Sequence, residues 1–290
     1  MTARALAVLG RGLVDPTTPV LRADDLGVQR GDGVFETARV AAGRPFRLDL
    51  HLARLRRGAT RLGIASPTDR EWCELADLAV ADPGVGDAVL KLVLTRGVSP
   101  DGPPTAFALV LDIPDLTVRQ REHGVHVVTL PLGVDADARE SSPWLLGGIK
   151  TLSYAVNMAS LREAESRGAD DVIWLANGGE VLEAPTSTVC WVRDGVVCTS
   201  ALDTGVLEGT TALVLAPLVA PLAWRGVRAT ARDLHAAAEV FLASSVRGVA
   251  PVLSIDGQPV GDGSPGQVTV ALRAAFESLV ADAAGSSRSG

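Results

Sequence analysis

The feature that most restricts the fold of this 290-residue chain is a mixture of strand-like and helix-like segments without a regular β–α–β period. Val89–Arg96 and Thr105–Ile113 are strongly apolar and β-prone, which predicts two central strands. An Ala-Ala-Gly turn at residues 41–43 separates the strand-like segments Gly33–Val40 and Gly43–Leu48 and predicts a hairpin. The pattern therefore favours an α+β first half followed by a mixed α/β or barrel-like second half.

The other predicted elements follow the same two periodicities. Further strands are predicted at Ala5–Leu9, Val125–Leu130, Asp171–Leu175, Thr188–Arg193 and Val196–Thr199. Helices are predicted at His51–Leu62, Thr68–Val80, Ser153–Ser166, Thr210–Val219 and Val268–Leu279. Asp49 is the expected N-cap of the first of these helices, and Gly63 is its expected C-cap.

The domain organisation is predicted from one break in this pattern. Pro114–Gly124 combines a proline, charged residues and a glycine, which is typical of a linker. We therefore expect a first domain over residues 1–114, a linker over 115–124 and a second domain over 125–283. The small, polar residues 284–290 are expected to form a disordered tail.

Composition disfavours several classes of function. The formal net charge is −7, so the chain has no basic field for binding nucleic acid, although arginines cluster on one predicted helix face over residues 54–61. Cys73, Cys190 and Cys198 are odd in number and lack metal-ligand spacing; we expect them to be small, buried apolar side chains in a reducing compartment. The four histidines also lack metal-ligand spacing, so no metal site is expected.

Targeting and membrane segments are also not expected. The N-terminal stretch contains Arg4 and Arg11, which a secretory signal would not place within its apolar part. The longest apolar run, Ala212–Trp224, is too short to span a bilayer and contains two prolines. These observations predict a cytoplasmic protein.

Among 27 basic residues only Lys91 and Lys150 are lysines. An arginine stays protonated, whereas a desolvated lysine can lose its proton and attack a carbonyl to form a Schiff base. Lys150 lies in the segment 147–154, between a Pro/Ser-rich loop and a predicted helix, where a nucleophile could face a cleft. Composition alone leaves open that the two lysines have no functional role and occur by chance in an arginine-rich chain.

Three other segments have candidate functional groups. Glu183 lies in a glycine-led turn followed by the small hydroxyl residues Thr186, Ser187 and Thr188, and it could pair with a protonated ring nitrogen or could be a solvated surface acid. Residues 205–211, which include Leu207 and Gly209 and end at Thr210-Thr211, could bind a phosphate at a helix N-terminus or could form a simple threonine cap. Arg54 could bind a phosphate or lie on a solvated helix face.

Considered together, these groups are complementary to a single ligand. Pyridoxal 5′-phosphate has an aldehyde for Lys150, a ring nitrogen for Glu183 and a phosphate for Arg54 and Thr210-Thr211. The chain has no Gly-x-Gly-x-x-Gly after a strand and no Gly-x-x-x-x-Gly-Lys, so common dinucleotide and nucleoside-triphosphate sites are disfavoured.

Between Arg30-Gly31-Asp32-Gly33 and Gly257-Gln258-Pro259 the chain resembles the class IV aminotransferases, which are fold-type IV pyridoxal-phosphate enzymes. The resemblance implies a small N-terminal α+β domain, a larger barrel-like C-terminal domain, pyridoxal phosphate in the cleft between them and a homodimer. Lys150 matches the Schiff-base lysine, Glu183 the acid at the pyridine nitrogen and Arg54 the phosphate arginine.

The remaining site residues also follow from the resemblance. Gly209-Thr210-Thr211 matches a phosphate loop usually written Gly-Ile-Thr, and Tyr154 resembles the tyrosine that contacts the ring hydroxyl. Ser244-Ser245 resembles a loop whose amides line the substrate side, and Thr188 replaces a common Asn. The implied cofactor-binding residues are Lys150, Arg54, Glu183, Tyr154, Thr186, Ser187, Thr188, Leu207, Gly209, Thr210 and Thr211, and the implied substrate-binding residues are Phe35, Arg39, Arg96, Ser244 and Ser245.

Within the family, the segments around Phe35, Lys91 and Lys150 are most similar to 4-amino-4-deoxychorismate lyases. D-amino-acid aminotransferases tend to have Tyr in place of Phe35. They also tend to have an Arg-x-His motif that binds the substrate carboxylate, where this chain has Val98–Pro103. Some lyases also hold that arginine. The resemblance thus implies a lyase that forms 4-aminobenzoate and pyruvate, with Lys150 as general base and Thr37 as proton donor. The alternatives are an aminotransferase for branched-chain or D-amino acids and a cofactor-binding protein without turnover.

Overall fold

A computed structural model describes residues 2–82 and 85–285 of the chain. The residues group into two compact units, the first formed by Met1–Pro114, Ile149–Tyr154 and Leu279–Gly290, and the second by Asp115–Gly148 and Ala155–Ser278. The change after Pro114 coincides with the start of the linker expected from the sequence. The short segment that contains Lys150 belongs to the first unit, so contiguous domains do not describe this chain.

The first unit contains an antiparallel six-stranded sheet. Its strands are β1 (Ala3–Val8), β2 (Gly12–Val14), β3 (Gly33–Ala41), β4 (Arg44–Pro45), β5 (Ala88–Thr95) and β6 (Thr105–Leu111), in the order β2-β1-β6-β5-β3-β4. The two predicted central strands are confirmed as β5 and β6, and the predicted hairpin is confirmed as β3–β4. However, β4 has only two residues, because the chain turns at Arg47, which has a φ of 50°, and enters a helix.

The helices of this unit are α1 (Leu26–Arg30), α2 (Leu48–Leu62) and α3 (Asp69–Ala79). Gly63 ends α2 with a φ of 63°, as expected, but the prediction of Asp49 as its N-cap was wrong. Arg47 occupies the N-cap, and Asp49 lies in the first turn, where its carboxylate pairs with Arg47 at 2.9 Å. A carboxylate in the first turn is favourable because it faces the positive end of the helix dipole.

Alternation along the strands gives this sheet two different faces. One face includes Val34, Ala38, Leu90 and Leu92, which are buried in one hydrophobic cluster with residues of α2 and α3 such as Leu52, Leu55 and Trp72. The other face includes Phe35 and Thr37 of β3 and Lys91 of β5, and Thr37 pairs directly with Lys91 across the two strands. The candidate reactive groups of the first unit are therefore on the sheet face that α2 and α3 do not cover.

The second unit contains an eight-stranded mixed sheet. Its strands are β7 (Val125–Pro131), β8 (Asp171–Leu175), β9 (Thr188–Arg193), β10 (Val196–Ser200), β11 (Ala223–Val227), β12 (Glu239–Ser244), β13 (Gly248–Ile255) and β14 (Gln258–Pro259). The order is β11-β10-β9-β12-β13-β7-β8, and β14 pairs with β13. The pairs β10–β11, β13–β7 and β7–β8 are parallel, and the other pairs are antiparallel.

Five α-helices of the described residues lie in this unit, and a sixth, α9, begins in it and passes into the first unit at Leu279. They are α4 (Asp115–His123), α5 (Ala138–Ser141), α6 (Ala155–Ser166), α7 (Thr210–Leu215), α8 (Ala231–His235) and α9 (Gln267–Gly285). The helix predicted over Thr210–Val219 is α-helical only to Leu215 and continues as a 3₁₀ turn, because Pro217 cannot donate a backbone hydrogen bond. No helix in the described ranges is long and apolar enough to cross a membrane.

The structure differs from two predictions about irregular segments. The expected linker over residues 115–124 is mostly helix α4, which packs against β13. Arg121 of this helix also donates to the carbonyl of Val246, in the turn before β13, at 2.6 Å. None of the α4 side chains is buried, so the sequence lacks the apolar stripe by which an amphipathic helix is usually recognised. Ala284 and Gly285, assigned to the tail, are the last residues of α9, and the rest of that tail lies outside the described residues.

Candidate active site

Lys150 lies on a short segment that pairs with the start of β3. The amide of Phe35 donates to the carbonyl of Lys150 at 3.1 Å, and the amide of Leu152 donates to the carbonyl of Gly33 at 2.9 Å. The segment also passes very close to Gly31, where a Cβ would lie 2.4 Å from the Ser153 hydroxyl oxygen. Backbone pairing and the glycine contact therefore determine where the Lys150 side chain starts.

Two aromatic rings surround the Lys150 amine. Its Nζ lies 4.6 Å from the ring centroid of Phe35 and 3.4 Å from the hydroxyl oxygen of Tyr154. The Phe35 and Tyr154 rings meet edge-to-face, with centroids 5.1 Å apart. The structure thus brings together three residues that the sequence had assigned to one site, and it places the half-buried Lys150 amine beside two aromatic rings.

The second lysine of the chain faces the same phenylalanine. Lys91 Nζ lies 4.8 Å from the Phe35 ring centroid, and the side chain is half-buried. Burial lowers the pKa of Lys91 below its usual value. The sequence analysis assigned no role to Lys91, and its spatial relation to Lys150 could not be predicted because the two residues are far apart in the chain.

Arg54 belongs to a buried ionic cluster that the sequence analysis missed. Its guanidinium binds both carboxylate oxygens of Glu36, with Nε at 2.6 Å and Nη2 at 2.8 Å, and the ring of His51 contacts the same carboxylate at 2.7 Å. Burial alone would raise the pKa of Glu36, but the charge and hydrogen bonds of Arg54, aided by His51, lower it to about 2. One signal was present: Glu36 is the one acid within the apolar strand β3.

The two arginines proposed for a substrate carboxylate are engaged elsewhere. Arg39 is buried and pairs with Asp87 at 3.0 Å. Arg96 uses all three guanidinium nitrogens, because it binds Asp32 at 2.6 Å and donates to the carbonyls of Leu62 and Gly63. Arg96 thus ties the end of β5 to the end of α2, and its donors are occupied there rather than at a substrate carboxylate.

In the second unit, Glu183 is held by two donors. One carboxylate oxygen accepts from Arg139 Nη1 and the other from the backbone amide of Leu207, each at 3.0 Å. Leu207 therefore contributes its backbone to this group. Arg139 was not assigned by the sequence analysis, because it lies 44 positions away on the short helix α5. The two donors orient the Glu183 carboxyl group, which could accept a hydrogen bond from a protonated ring nitrogen.

Gly209, Thr210 and Thr211 form the start of α7. Gly209 is its N-cap, and both threonines are buried, with the Thr210 hydroxyl 3.2 Å from the hydroxyl of Ser245. The first amides of a helix have no acceptor within the helix, so this backbone can bind an anion. A Cβ at Gly209 would lie 2.2 Å from the Thr188 hydroxyl oxygen, so the side chain of Thr188 closely approaches this backbone.

We expect Gly209→Ala to weaken cofactor binding, because the new methyl group would displace either Thr188 or the start of α7. The double variant Gly209→Ala/Thr188→Ala removes the clashing hydroxyl and should recover most of the lost affinity. Fluorescence titration of the apoenzyme with pyridoxal phosphate would measure both dissociation constants. Equal affinities for the wild type and Gly209→Ala would show that the close approach has no role in binding.

The other predicted hydroxyl residues differ in their surroundings. The Ser187 hydroxyl accepts from Arg247 at 2.8 Å, and the same guanidinium nitrogen binds Asp171 at 2.6 Å. Thr186 is exposed in the turn before β9. Ser244, expected in a loop, is instead the last residue of β12, and Ser245 begins the tight turn to β13.

The three cysteines differ in burial. Cys190 and Cys198 are buried, as expected, whereas Cys73 is half-buried on α3. Across residues 2–82 and 85–285, no group of three or more His, Cys, Asp or Glu side chains is arranged to hold a metal ion.

The sequence matches the family described as amino-transferase class IV over residues 33–255. A bifunctional aminodeoxychorismate lyase/D-amino acid transaminase from Mycobacterium tuberculosis is 36% identical over 264 residues, which cover 85% of this chain and 89% of the relative. A D-alanine aminotransferase from Listeria innocua is 30% identical over 279 residues, covering 94% and 95% of the two chains.

Solved structures give the same result. A fold IV-transaminase from Curtobacterium pusillum is 38% identical and superposes with a TM-score of 0.87, covering 96% of this chain and 97% of that one. A pyridoxal-phosphate-bound hypothetical aminotransferase from Mycobacterium tuberculosis is 33% identical, with a TM-score of 0.89 and coverage of 98% and 100%. The expected mixed α/β, fold-type IV architecture is thereby confirmed. With its paired Lys150 segment, its oriented Glu183 and a match over most of its length, this chain belongs to the class IV aminotransferase family of pyridoxal 5′-phosphate enzymes.

Proposed function

We propose that this enzyme is a 4-amino-4-deoxychorismate lyase, which forms 4-aminobenzoate and pyruvate. The observation that carries the proposal is the arrangement on the uncovered face of the first sheet. Phe35 presents an aromatic ring beside the Lys150 amine, and Thr37 lies two residues along the same face of β3. The lyase substrate is a ring that must lose a proton to a base and then release a leaving group through its oxygen. An apolar contact for the ring, an amine as the base and a hydroxyl as the proton donor are suited to these two steps.

The residues of each unit fit pyridoxal phosphate. In the second unit, the backbone amides at the start of α7 would hold the phosphate. A side chain at Gly209 would collide with the Thr188 hydroxyl, so only glycine fits at this point of the backbone. Glu183, oriented by Arg139 and Leu207, would bind the ring nitrogen. In the first unit, Lys150 would carry the cofactor, Tyr154 would contact its ring hydroxyl and Arg54 would bind phosphate.

Pyridoxal phosphate, when bound, supplies an aldehyde for the substrate amine and a ring that delocalises negative charge. Lys150 Nζ takes the proton from the ring carbon that bears the substrate amine. The carbon–oxygen bond to the enolpyruvyl group then breaks, its electron pair leaves with the oxygen, and the Thr37 hydroxyl donates a proton to that oxygen. Thr37 regains a proton from water, and the released enolpyruvate tautomerises to pyruvate. Aromatisation of the remaining ring drives the reaction towards 4-aminobenzoate.

A second activity of the same site, transamination of D-amino acids, is supported by the relatives. One of them is named for both activities, and the other is a D-alanine aminotransferase. Transamination uses the same lysine and cofactor but also needs a 2-oxo acid. The chain has Pro100 and Asp101 in the segment after β5 where D-amino-acid aminotransferases tend to carry a carboxylate-binding arginine, but some lyases also hold that arginine. We place the lyase activity first because of Phe35, where D-amino-acid aminotransferases tend to have Tyr.

The experiment that tests the proposal is incubation of the pure holoenzyme with 4-amino-4-deoxychorismate in the absence of any 2-oxo acid. We expect 4-aminobenzoate and pyruvate in equal amounts. A parallel incubation with D-alanine and 2-oxoglutarate measures the second activity, and L-alanine is its matched control. Formation of product only when an amino acid and an oxo acid are both present would refute the lyase proposal.

The homodimer implied by the resemblance and the cytoplasmic location predicted from the sequence are part of the same proposal. Light scattering of the purified holoenzyme would give its mass relative to the 30.0 kDa chain. A mass of one chain would refute the dimer.

A further inference from the structure

Arg247 is a buried cation in the turn that joins β12 and β13, and its guanidinium group has three partners. Nη2 donates to a carboxylate oxygen of Asp171 at 2.6 Å and to the hydroxyl of Ser187 at 2.8 Å, and Nη1 donates to the side-chain oxygen of Gln120 at 3.1 Å. Arg247, Asp171 and Ser187 are all buried. The partners lie on β8, in the turn before β9 and on α4, so one side chain connects four segments of the second unit.

This arrangement has a large desolvation cost. The attraction between a buried guanidinium and a carboxylate offsets that cost only when the geometry is good, and apolar residues of the same volume often stabilise a protein as well or better. An apolar replacement lacks direction, whereas the planar guanidinium donates to several acceptors in fixed directions. The contacts of Arg247 therefore determine where its neighbours lie.

The Ser187 contact holds a tight turn before β9. The amide of Ala184 donates to the carbonyl of Ser187 at 3.0 Å, and the amide of Ser187 donates to the carbonyl of Ala184 at 3.4 Å. Glu183 directly precedes this turn, and Thr188, whose hydroxyl closely approaches Gly209, directly follows it. A displacement of the turn would therefore move both the acid proposed for the ring nitrogen and a side chain beside the proposed phosphate site.

Arg247 itself belongs to the turn of residues 245–247, which also contacts the proposed phosphate site. The hydroxyl of Ser245 is 3.2 Å from the hydroxyl of Thr210 in the first turn of α7. Helix α4 holds the same turn, because Arg121 donates to one of its backbone carbonyls at 2.6 Å. Through the Arg247 side chain, this turn and the turn before β9 are connected.

We propose that Arg247 is a positioning residue that keeps these two turns at a fixed spacing and so aligns the ring-nitrogen acid with the phosphate-binding start of α7. It acts through Ser187 and through its own turn, not by contact with the cofactor. The inference rests on the part of the proposed function that places pyridoxal phosphate at Glu183 and α7. It applies equally to a lyase and to a transaminase, since both need the ring and the phosphate of the cofactor held in place.

The first test is the variant Arg247→Met/Asp171→Asn, which removes both buried charges and leaves neither without its counter-charge. Equilibrium dialysis of the holoenzyme against pyridoxal phosphate would give the Kd of the cofactor. We expect the Kd to rise at least about ten-fold, because the guanidinium no longer holds the turn before β9. The matched control is Arg167→Met/Glu163→Gln, which removes an exposed ion pair at the end of α6 and should leave the Kd unchanged.

Ser187→Ala removes the contact with the turn and keeps the buried ion pair. Its Kd should also rise, and adding it to Arg247→Met/Asp171→Asn should cause no further rise, because both changes break the same contact. Independent increases that multiply would show that Ser187 acts on the cofactor without Arg247, and would overturn the inference. If the variant without the two charges does not fold, Arg247→Lys replaces it in this comparison, because it keeps the charge opposite Asp171 but lacks the planar guanidinium.

A second measurement distinguishes positioning from a purely structural role. A ligand that binds the folded state raises the Tm by an amount that depends on its concentration relative to the Kd. At one fixed concentration of pyridoxal phosphate, the rise in Tm should be smaller in the Arg247 variants than in the wild type. A lower Tm with the same cofactor-induced rise, an unchanged Kd, or an equal rise of the Kd in the control would each overturn the inference.

The outcomes separate this inference from the proposed function, because Gly209→Ala tests the cofactor position without involving Arg247. If Gly209→Ala weakens cofactor binding and the Arg247 variants do not, the Arg247 inference alone fails. If the Arg247 variants weaken binding and Gly209→Ala does not, the cofactor position at α7 fails and the effect of Arg247 on the Kd is retained. A wild type without lyase activity refutes the proposed reaction, and the Kd comparison still decides the role of Arg247.

Discussion

Replacing Lys150 with alanine is expected to abolish the visible absorption band of the holoenzyme and to reduce turnover by several orders of magnitude. Loss of the general base alone costs roughly 10²–10⁴-fold in rate, and loss of the covalent link to the cofactor adds to this. The expectation depends on the position of the Lys150 amine between the Phe35 and Tyr154 rings. Absorption spectra and single-turnover assays would measure both effects.

The chain offers a direct control, because Lys91 and Lys150 are its only lysines. Borohydride reduction of the wild-type holoenzyme followed by tryptic digestion should place the cofactor mass on the peptide of residues 140–162, which contains Lys150. The competing peptide covers residues 71–96 and contains Lys91. Cofactor on the second peptide, or a retained absorption band in Lys150→Ala, would contradict the assignment of Lys150.

Glu36→Gln is expected to destabilise the first unit by about 3–5 kcal/mol, because it leaves the buried guanidinium of Arg54 without its counter-charge. Urea unfolding at neutral pH, followed by circular dichroism, would measure the loss. Asp49→Asn is the matched control, since Asp49 forms an exposed ion pair with Arg47 on the same helix, and exposed pairs contribute little. An equal effect of the two substitutions would refute the special role of the buried cluster.

The same cluster predicts the dependence of stability on pH. The folded state lowers the pKa of Glu36 from its usual 4.5 to about 2, so the stabilisation is complete above pH 4.5 and is lost as the pH falls towards 2. The shift corresponds to about 3 kcal/mol. The wild type should therefore lose stability more steeply than Glu36→Gln between these two pH values, and parallel curves would contradict the assigned pKa.

Most of the fold was predictable because strands and helices depend on local patterns. β5 and β6 were predicted from their apolar, β-prone residues, and the end of α2 from Gly63. β12 and β13 were not predicted: they are buried on both faces, and β13 contains Pro251, so they lack the alternation that marks a half-exposed strand. Helix α4 was missed for the opposite reason, because it buries no side chain.

The candidate site was predictable as a set of residue types but not as a set of contacts. Lys150, Glu183 and Thr210-Thr211 were chosen because their chemistry matches one cofactor, and the family match confirms that cofactor. Arg139 and Glu36, which orient two of the chosen residues, were missed because they lie 44 and 18 positions from their partners. Contacts over such separations depend on how the chain packs, and no local pattern encodes them.

The sequence by itself determined the fold class, the cofactor and the candidate nucleophile, because residue type, local periodicity and motif order are sufficient for each of these. Only the tertiary structure decided what the candidate cations do. It engages Arg96 with Asp32 and two carbonyls, pairs Arg39 with Asp87, and leaves Lys91 beside the Phe35 ring that Lys150 also contacts. The physical reason is that the role of a charged side chain depends on which opposite charges the fold brings within a few ångströms of it.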